Sequence, residues 1–177
     1  SFIHLFIHDS MLKNINHFIF PLLFLLAGVG QGIQAQTLVF NVGSDTVDID
    51  SMVVIPIRVD SFQTISGYQG TIRFDTAALE FMALISPQSG VNNIFGNPGQ
   101  GLIPLDAATF SWIDFSGGNV TLPDSTSIIE ISFQVKSTAI GGNYPVIVDG
   151  SVTSLLYTQG AGVIPPLSNP GNVRVNP

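Results

Sequence analysis

Carboxylates are the residues of this sequence that could do chemistry. Four of them stand near the ends of predicted strands: Asp106, Asp114, Asp124 and Glu130. Glycoside hydrolysis uses two carboxyl groups held about 5 to 10 Å apart, one as the acid and one as the base or nucleophile. The four acids show no spacing typical of such a pair, and charged side chains usually lie on the surface. We therefore interpret them as surface residues and predict no catalytic residue.

A second acidic group, Asp45, Asp48 and Asp50, lies on a turn that leads into a predicted strand. Because Ca²⁺ is bound by several oxygens, a weak Ca²⁺ site is one interpretation. The segment lacks the Gly and the bidentate Glu of a helix–loop–helix calcium loop, and acids at alternate strand positions are often simply solvated. We favour solvated acids and predict neither a metal nor a cofactor.

The usual nucleophiles and bases are missing from most of the chain. There is no Cys, and the three histidines are His4, His8 and His17. All three precede the end of the leader predicted below, so the processed protein would have no His. Ser-His-Asp and Cys-His catalysis and thiolate metal sites are then excluded, because each needs one of these residues. We expect a protein that binds a partner, not an enzyme.

Trp112, the only Trp, lies in the segment Phe110–Phe115. An exposed aromatic ring on a β-sandwich can stack on a sugar, which would make Trp112 a carbohydrate-binding residue. Aromatic or aliphatic side chains occur at both odd- and even-numbered positions of this strand, which indicates burial on both faces. Since Trp is heavily buried on average, we favour a core position and keep the carbohydrate site as the alternative.

The charge balance argues against nucleic acid as a partner. The net charge is −7, and it stays −7 without residues 1–35, which contain one acid and one base. Only four cations then remain: Arg58, Arg73, Lys136 and Arg174. Binding to nucleic acid needs a basic surface that neutralises phosphates, and four scattered cations do not form one.

Residues 1–35 are interpreted as upstream sequence and a cleavable signal peptide. We expect translation to start at Met11, with a weakly basic segment up to His17 and an apolar run of about 13 residues from Phe18 to Gly30. A helix that spans a bilayer needs about 20 residues, so a retained membrane anchor is the less favoured alternative. Cleavage after Ala35 would leave Gln36 as the N-terminus of a secreted or cell-surface bacterial protein, which meets the membrane only through its leader.

Residues 36–177 show the period-two alternation of half-buried β-strands. Three segments carry it most clearly, and their inward residues are Val53, Ile55, Ile57 and Val59; Tyr68, Ile72 and Phe74; and Ile129, Ile131, Phe133 and Val135. Further strands are predicted at 37–42, 79–86, 109–115, 119–122, 144–149, 151–157 and 172–175, with an irregular stretch at about 87–101. About nine short strands with turn signals between them predict one all-β domain, a sandwich or jelly roll.

Several segments, in order, resemble the cohesin-domain family. The segment Ile65–Asp75, followed by residues 76–80, is similar to a family strand that ends in an aromatic-Asp pair before a short turn places Leu79 in the core. Val53–Val59 looks like the preceding family strand. Ile129–Lys136 with Gly141 and Gly142, and then Gly171–Val175, look like the penultimate region and the closing strand.

The resemblance implies a fold and a function. The fold is a nine-stranded jelly-roll sandwich, and family members bind dockerin modules of other proteins in polysaccharide-degrading or cell-surface assemblies. Carbohydrate-binding modules share the fold, so sugar binding is the second function to consider. A structural or adhesive surface domain is the third.

The resemblance also implies where the partner would bind. The contact face would combine the strands at 66–75 and 127–136 as neighbours in one sheet, with these outward residues: Gln69, Thr71, Arg73, Ser132 and Gln134. Truncation of Gln69, Thr71 or Ser132 to Ala should then leave stability nearly unchanged but weaken partner binding, and Arg73 should lie close to Glu130. Family members use an Asn and an acidic residue on the first of these strands, where this chain has Gly67 and Gln69.

Overall fold

The computed structural model describes residues 36–177, so the predicted leader and its cleavage site lie outside the described residues. Thirteen strands make up the described part. In chain order they are β1 (Val39–Val42), β2 (Asp45–Val47), β3 (Met52–Asp60), β4 (Ile65–Phe74), β5 (Leu79–Ile85), β6 (Ile94–Gly96), β7 (Ala107–Ile113), β8 (Thr126–Val135), β9 (Gly142–Asp149), β10 (Leu156–Gln159), β11 (Gly162–Ile164), β12 (Leu167–Asn169) and β13 (Gly171–Val175). Residues 36–177 contain no helix with the length and apolarity needed to cross a membrane.

The strands form two sheets that enclose one apolar core. The first sheet has the order β12-β1-β3-β8-β5. The second has the order β11-β10-β4-β9-β13-β2, and β7 and β6 extend it on the other side of β4. One long edge of β4 pairs with β7, while β10 and β9 share the opposite edge, one after the other. β4 is therefore the central strand of the second sheet.

The predicted inward residues are buried, which confirms the alternation and the all-β sandwich. Val53, Ile55, Ile57 and Val59 of β3 and Ile129, Ile131, Phe133 and Val135 of β8 expose 3% of their surface or less. Tyr68, Ile72 and Phe74 of β4 are also buried. The rings of Phe74 and Phe133 lie 4.9 Å apart, so β4 and β8 meet face to face across the core.

That packing corrects the expected pairing of the two strands. β8 pairs with β3 and β5 in the first sheet, whereas β4 belongs to the second. Side-chain alternation reports which residues of a strand point inward, and it is the same for two strands side by side and two strands facing each other. The expectation that residues 66–75 and 127–136 are neighbours in one sheet is wrong.

The strand predicted at 151–157 is wrong for residues 151–155, since β10 begins at Leu156. Short strands account for the remaining differences. β2, β6, β11 and β12 have three residues each and were not predicted, because three residues are too few to show a period. β6 lies inside the stretch predicted to be irregular. The predicted strand at 119–122 is reduced to a single bridge between Val120 and Ile65.

A polar contact inside the core fixes the two sheets to each other. The Tyr68 hydroxyl donates to Asn93 Oδ1 at 2.7 Å, and Asn93 Nδ2 donates to the Ile128 carbonyl oxygen of β8 at 3.0 Å. Burial raises the pKa of Tyr68 far above its usual value, so its hydroxyl stays a neutral donor. The contact also anchors the segment before β6 to the core.

Candidate partner-binding face

The outer surface of the strands β6, β7, β4, β10 and β11 is one candidate site. Cross-strand partners point to the same side of a sheet, so the register gives two rows of outward residues. The first row is Ile94, Ser111, Gln69 and Leu156, and the second is Ile113, Gly67, Thr158 and Val163. Ile94, Ile113 and Val163 expose 68%, 59% and 63% of their surface. Apolar side chains thus surround a glycine at the centre of the face.

The glycine forms the floor of an open groove of about 300 Å³. Ile113 of β7 stands on one side of Gly67 and Thr158 of β10 on the other, while Leu156 and Val163 continue the second wall. We call this feature the Gly67 groove. A groove of this size corresponds to the lower end of small-molecule pockets, so it has room for a side chain of a protein partner.

The floor of the Gly67 groove is fixed by its neighbours. A Cβ atom at position 67 would lie 3.0 Å from the Trp112 carbonyl oxygen and 3.2 Å from Thr158 Oγ1. Thr158 Oγ1 is held in place because it accepts a hydrogen bond from Ser66 Oγ at 2.9 Å and donates to the Gly67 carbonyl at 3.2 Å. A side chain at position 67 would fill the space that the groove leaves open.

The other half of the outer face of β4 is covered. Residues 151–154, which we call the strap, connect β9 to β10 across this surface. Thr71 Oγ1 accepts hydrogen bonds from the N–H groups of Val152 (3.2 Å) and Thr153 (2.9 Å) and donates to the Thr153 carbonyl (3.2 Å). Gln69 Nε2 donates to the Ser154 carbonyl at 3.1 Å. The strap confines access to the half of β4 that contains Gly67.

The five residues predicted to contact a partner do not share one surface. Thr71 points outward as predicted but is fully buried under the strap. Arg73 lies at the covered end and pairs with Asp106, not with Glu130. Ser132 and Gln134 lie on β8 in the first sheet. Gln69 alone of the five borders the Gly67 groove.

Thr71 should accordingly matter for stability, contrary to the expectation from sequence. We expect Thr71→Val to lower the free energy of unfolding by about 1 to 3 kcal/mol, because it leaves strap N–H groups without their acceptor. Thr71→Ser keeps the hydroxyl and should retain most of the stability. Urea denaturation of both variants tests this, and equal midpoints for Thr71→Val and the unchanged protein would contradict it.

Trp112 is a core residue, as favoured from the sequence. It exposes 4% of its surface and lies against Tyr68 and Phe62, with ring centroids 5.5 and 6.2 Å away. The expectation that both faces of its strand are buried is wrong, since Ile113 is exposed. The structure therefore removes the exposure that Trp112 would need to stack on a sugar.

The Gly67 groove is uncharged, and the charges nearest to it along the strands are acidic. Asp114 follows Ile113, and hydrogen bonds from the Ser116 side chain and backbone hold the pKa of Asp114 below its usual value. Asp149 is the cross-strand partner of Thr71. The one cation of β4, Arg73, is paired with Asp106. The β7 end of the groove thus carries a negative charge at neutral pH, while Asp149 lies on the half of the face that the strap covers.

Several of the acids considered for metal binding and catalysis accept hydrogen bonds within the domain. Asp45 accepts from its neighbour Thr46 N, and Asp48 accepts from Asn176 Nδ2 at 2.8 Å. Asp124 caps the Ser61 N–H at 2.8 Å. Within residues 36–177, His, Cys, Asp and Glu side chains form no group of three or more that could hold a metal ion.

Sequence reasoning missed the apolar walls of the groove. Ile94 lay in a stretch predicted to be irregular, and Val163 follows a Gly-rich turn. Ile113 could not be distinguished by sequence from the buried apolar residues of its strand. The available signal was the pair Gly67 and Gln69, because a glycine in the middle of a strand often marks the close approach of another group.

Comparison with known proteins identifies the family. The sequence model of the cohesin domain matches residues 38–159. The chain belongs to the cohesin-domain family. No curated protein matches this cohesin domain.

Solved structures similar to this cohesin domain agree on the fold. A cohesin from Clostridium acetobutylicum is 14% identical, with a TM-score of 0.66 over 81% of this chain and 94% of that one. The sixth cohesin of scaffoldin B from Acetivibrio cellulolyticus, solved in complex with a dockerin, is 15% identical, with a TM-score of 0.64 over 80% and 100%. A non-cellulosomal cohesin from the archaeon Archaeoglobus fulgidus is 12% identical, with a TM-score of 0.59 over 80% and 93%.

Proposed function

We propose that this cohesin domain is a non-catalytic binding module that recognises a dockerin-bearing protein through the outer face of β6, β7, β4, β10 and β11. Membership of the family supports the kind of partner, since similar cohesins have been solved in complex with dockerins. The observation that carries the choice of face is the Gly67 groove, an exposed apolar depression lined by Ile113, Leu156 and Val163, with the exposed Ile94 farther along the same face. Contiguous exposed apolar surface of this kind marks interaction sites.

The first sheet also exposes apolar side chains but offers a less suitable surface. Val54 is 47% exposed, and its cross-strand partner is Ser132. The adjacent row places Glu130 beside Pro56. Charged residues are depleted at the centres of protein interfaces, which favours the second sheet. The outer face of the first sheet therefore serves as the control surface in the experiments below.

The setting of the interaction is part of the proposal. The predicted leader supports export to the cell surface or the medium, where the domain would hold a partner in a polysaccharide-degrading or surface assembly. Carbohydrate binding is less well supported, because Trp112, the residue considered for stacking on a sugar, is buried, as are Tyr68 and Tyr157. A protein partner is the better match to an apolar groove.

The proposal is tested by titrating residues 36–177, labelled with ¹⁵N, with dockerin modules encoded in the same genome. We expect saturable binding to at least one module, with amide shift changes concentrated on β4, β7, β10 and β11. The amides of β3, β5 and β8 should change little. Absence of binding across the whole set, or shift changes confined to the first sheet, would refute the proposed function.

A further inference from the structure

We propose that the partner inserts one large apolar side chain into the Gly67 groove and presents Lys or Arg beside it, at the Asp114 end of the groove. This inference rests on the proposed function for the kind of partner and goes beyond it in naming the recognition chemistry.

The shape of the groove determines what can enter. β7 and β10 flank β4, so the outward rows of Ile113 and Thr158 are separated by two strand spacings, about 10 Å between backbones. Between them Gly67 contributes no side chain, which leaves a slot the width of one side chain. A single inserted residue would contact Ile113, Leu156 and the floor together.

The polarity of the groove favours an apolar insertion. The polar side chains Gln69 and Thr158 already hydrogen-bond within the domain, to the Ser154 carbonyl and to Ser66 and Gly67. A polar group pushed between them would find only Gln69 Oε1 and the Ser111 hydroxyl as partners, so most of its hydrogen bonds to water would not be replaced, which costs free energy. Contact with Ile113 and Val163 instead removes apolar surface from water on both sides.

The charge beside the groove favours a basic residue on the partner. Asp114 directly follows Ile113 of the groove wall, whereas Asp149 lies beside Thr71 on the covered half, and Arg73 is paired with Asp106. The other cations of residues 36–177 lie elsewhere: Arg58 on β3, Lys136 bonded to the Thr76 carbonyl and Arg174 on β13. Complementary charge speeds association and selects against wrong partners.

A test that does not depend on dockerins is selection of a phage-displayed library of random peptides on immobilised residues 36–177. We expect enriched peptides to combine a large apolar residue with nearby Lys or Arg. Their affinity should fall at least about tenfold for Gly67→Ala, whose Cβ enters the groove, and for Val163→Gln, which changes an exposed wall without stressing the fold. Binding should also weaken by several-fold between about 50 and 500 mM salt.

Val54→Gln on the first sheet is the matched control and should leave peptide affinity unchanged. Enrichment of acidic or wholly polar peptides, no enrichment at all, or equal loss in Val54→Gln would overturn the inference. Groove-dependent apolar and basic peptides, obtained together with failure of every dockerin, would support the inference and refute the proposed function. Dockerin binding that is unchanged in Gly67→Ala and Val163→Gln would support the proposed function and refute the inference.

Discussion

Replacing Ile113 by Asp is expected to lower the affinity for the partner at least about 25-fold. Ile113 forms one wall of the Gly67 groove and already exposes 59% of its surface, so the substitution should cost the isolated domain little stability. In the complex, the new carboxylate would lie inside the groove against the partner's apolar side chain and would lose its water there. An unpaired buried charge costs about 2 to 5 kcal/mol, and each 1.4 kcal/mol is tenfold in affinity. Isothermal titration with the bound dockerin measures the loss.

The matched control for this prediction is Val54→Asp on the outer face of the first sheet. Val54 is also about half exposed and lies in the middle of a long strand. The same charge is introduced, so any general electrostatic effect of the added carboxylate on association would act in both variants. Retained affinity in Val54→Asp together with loss in Ile113→Asp assigns the effect to the groove. Wild-type affinity in Ile113→Asp would mean that the partner binds elsewhere.

Replacing Gly171 by Ala should produce the largest loss of stability. Gly171 begins β13, and a Cβ atom there would overlap the Gly43 carbonyl oxygen and lie 2.7 Å from the Val42 carbonyl oxygen. Both obstacles are backbone atoms, which cannot rotate away as a flexible side chain can. Forced overlap in a packed interior costs about 1 to 3 kcal/mol, and more where backbone must move, so we expect at least about 3 kcal/mol. Thermal and urea unfolding measure the difference.

Gly118→Ala provides the comparison for Gly171→Ala. Its added Cβ would approach no heavy atom more closely than Ser116 Oγ at 3.4 Å, which is an ordinary contact. The residue is exposed in a turn, so the variant should match the unchanged protein within about 0.5 kcal/mol. If both glycine variants unfold at the same urea concentration, steric overlap at position 171 is not a determinant of stability.

The sequence predicted which residues of a strand face the core but not which sheet the strand joins. Alternation placed Ile131 and Phe74 inward correctly, because burial on one face imposes a period of two. The assignment of β4 and β8 to different sheets follows from pairing between residues far apart in the chain, such as Ile131 with Ile55. Nothing local to either strand encodes that choice.

The candidate site was predictable only in part for a related reason. Thr71 points outward as its parity requires, yet it is buried by the strap, which lies about 80 residues later in the chain. Ile113 is apolar like the core residues of its strand, yet it points to the outer face beside Gly67 and is 59% exposed. The contrast between Gly67 and its bulky neighbours was present in the sequence, but its meaning depends on which strands flank β4.

The arrangement of the terminal strands has a mechanical consequence. β1 pairs in parallel with β12, and β2 pairs in parallel with β13. When the chain before β1 and the chain after β13 are pulled apart, the force runs along these strands, so the hydrogen bonds of each pair must break together and not one after another. A domain held in this way between a tether and a load resists extension through the rate of unfolding, independently of its equilibrium stability.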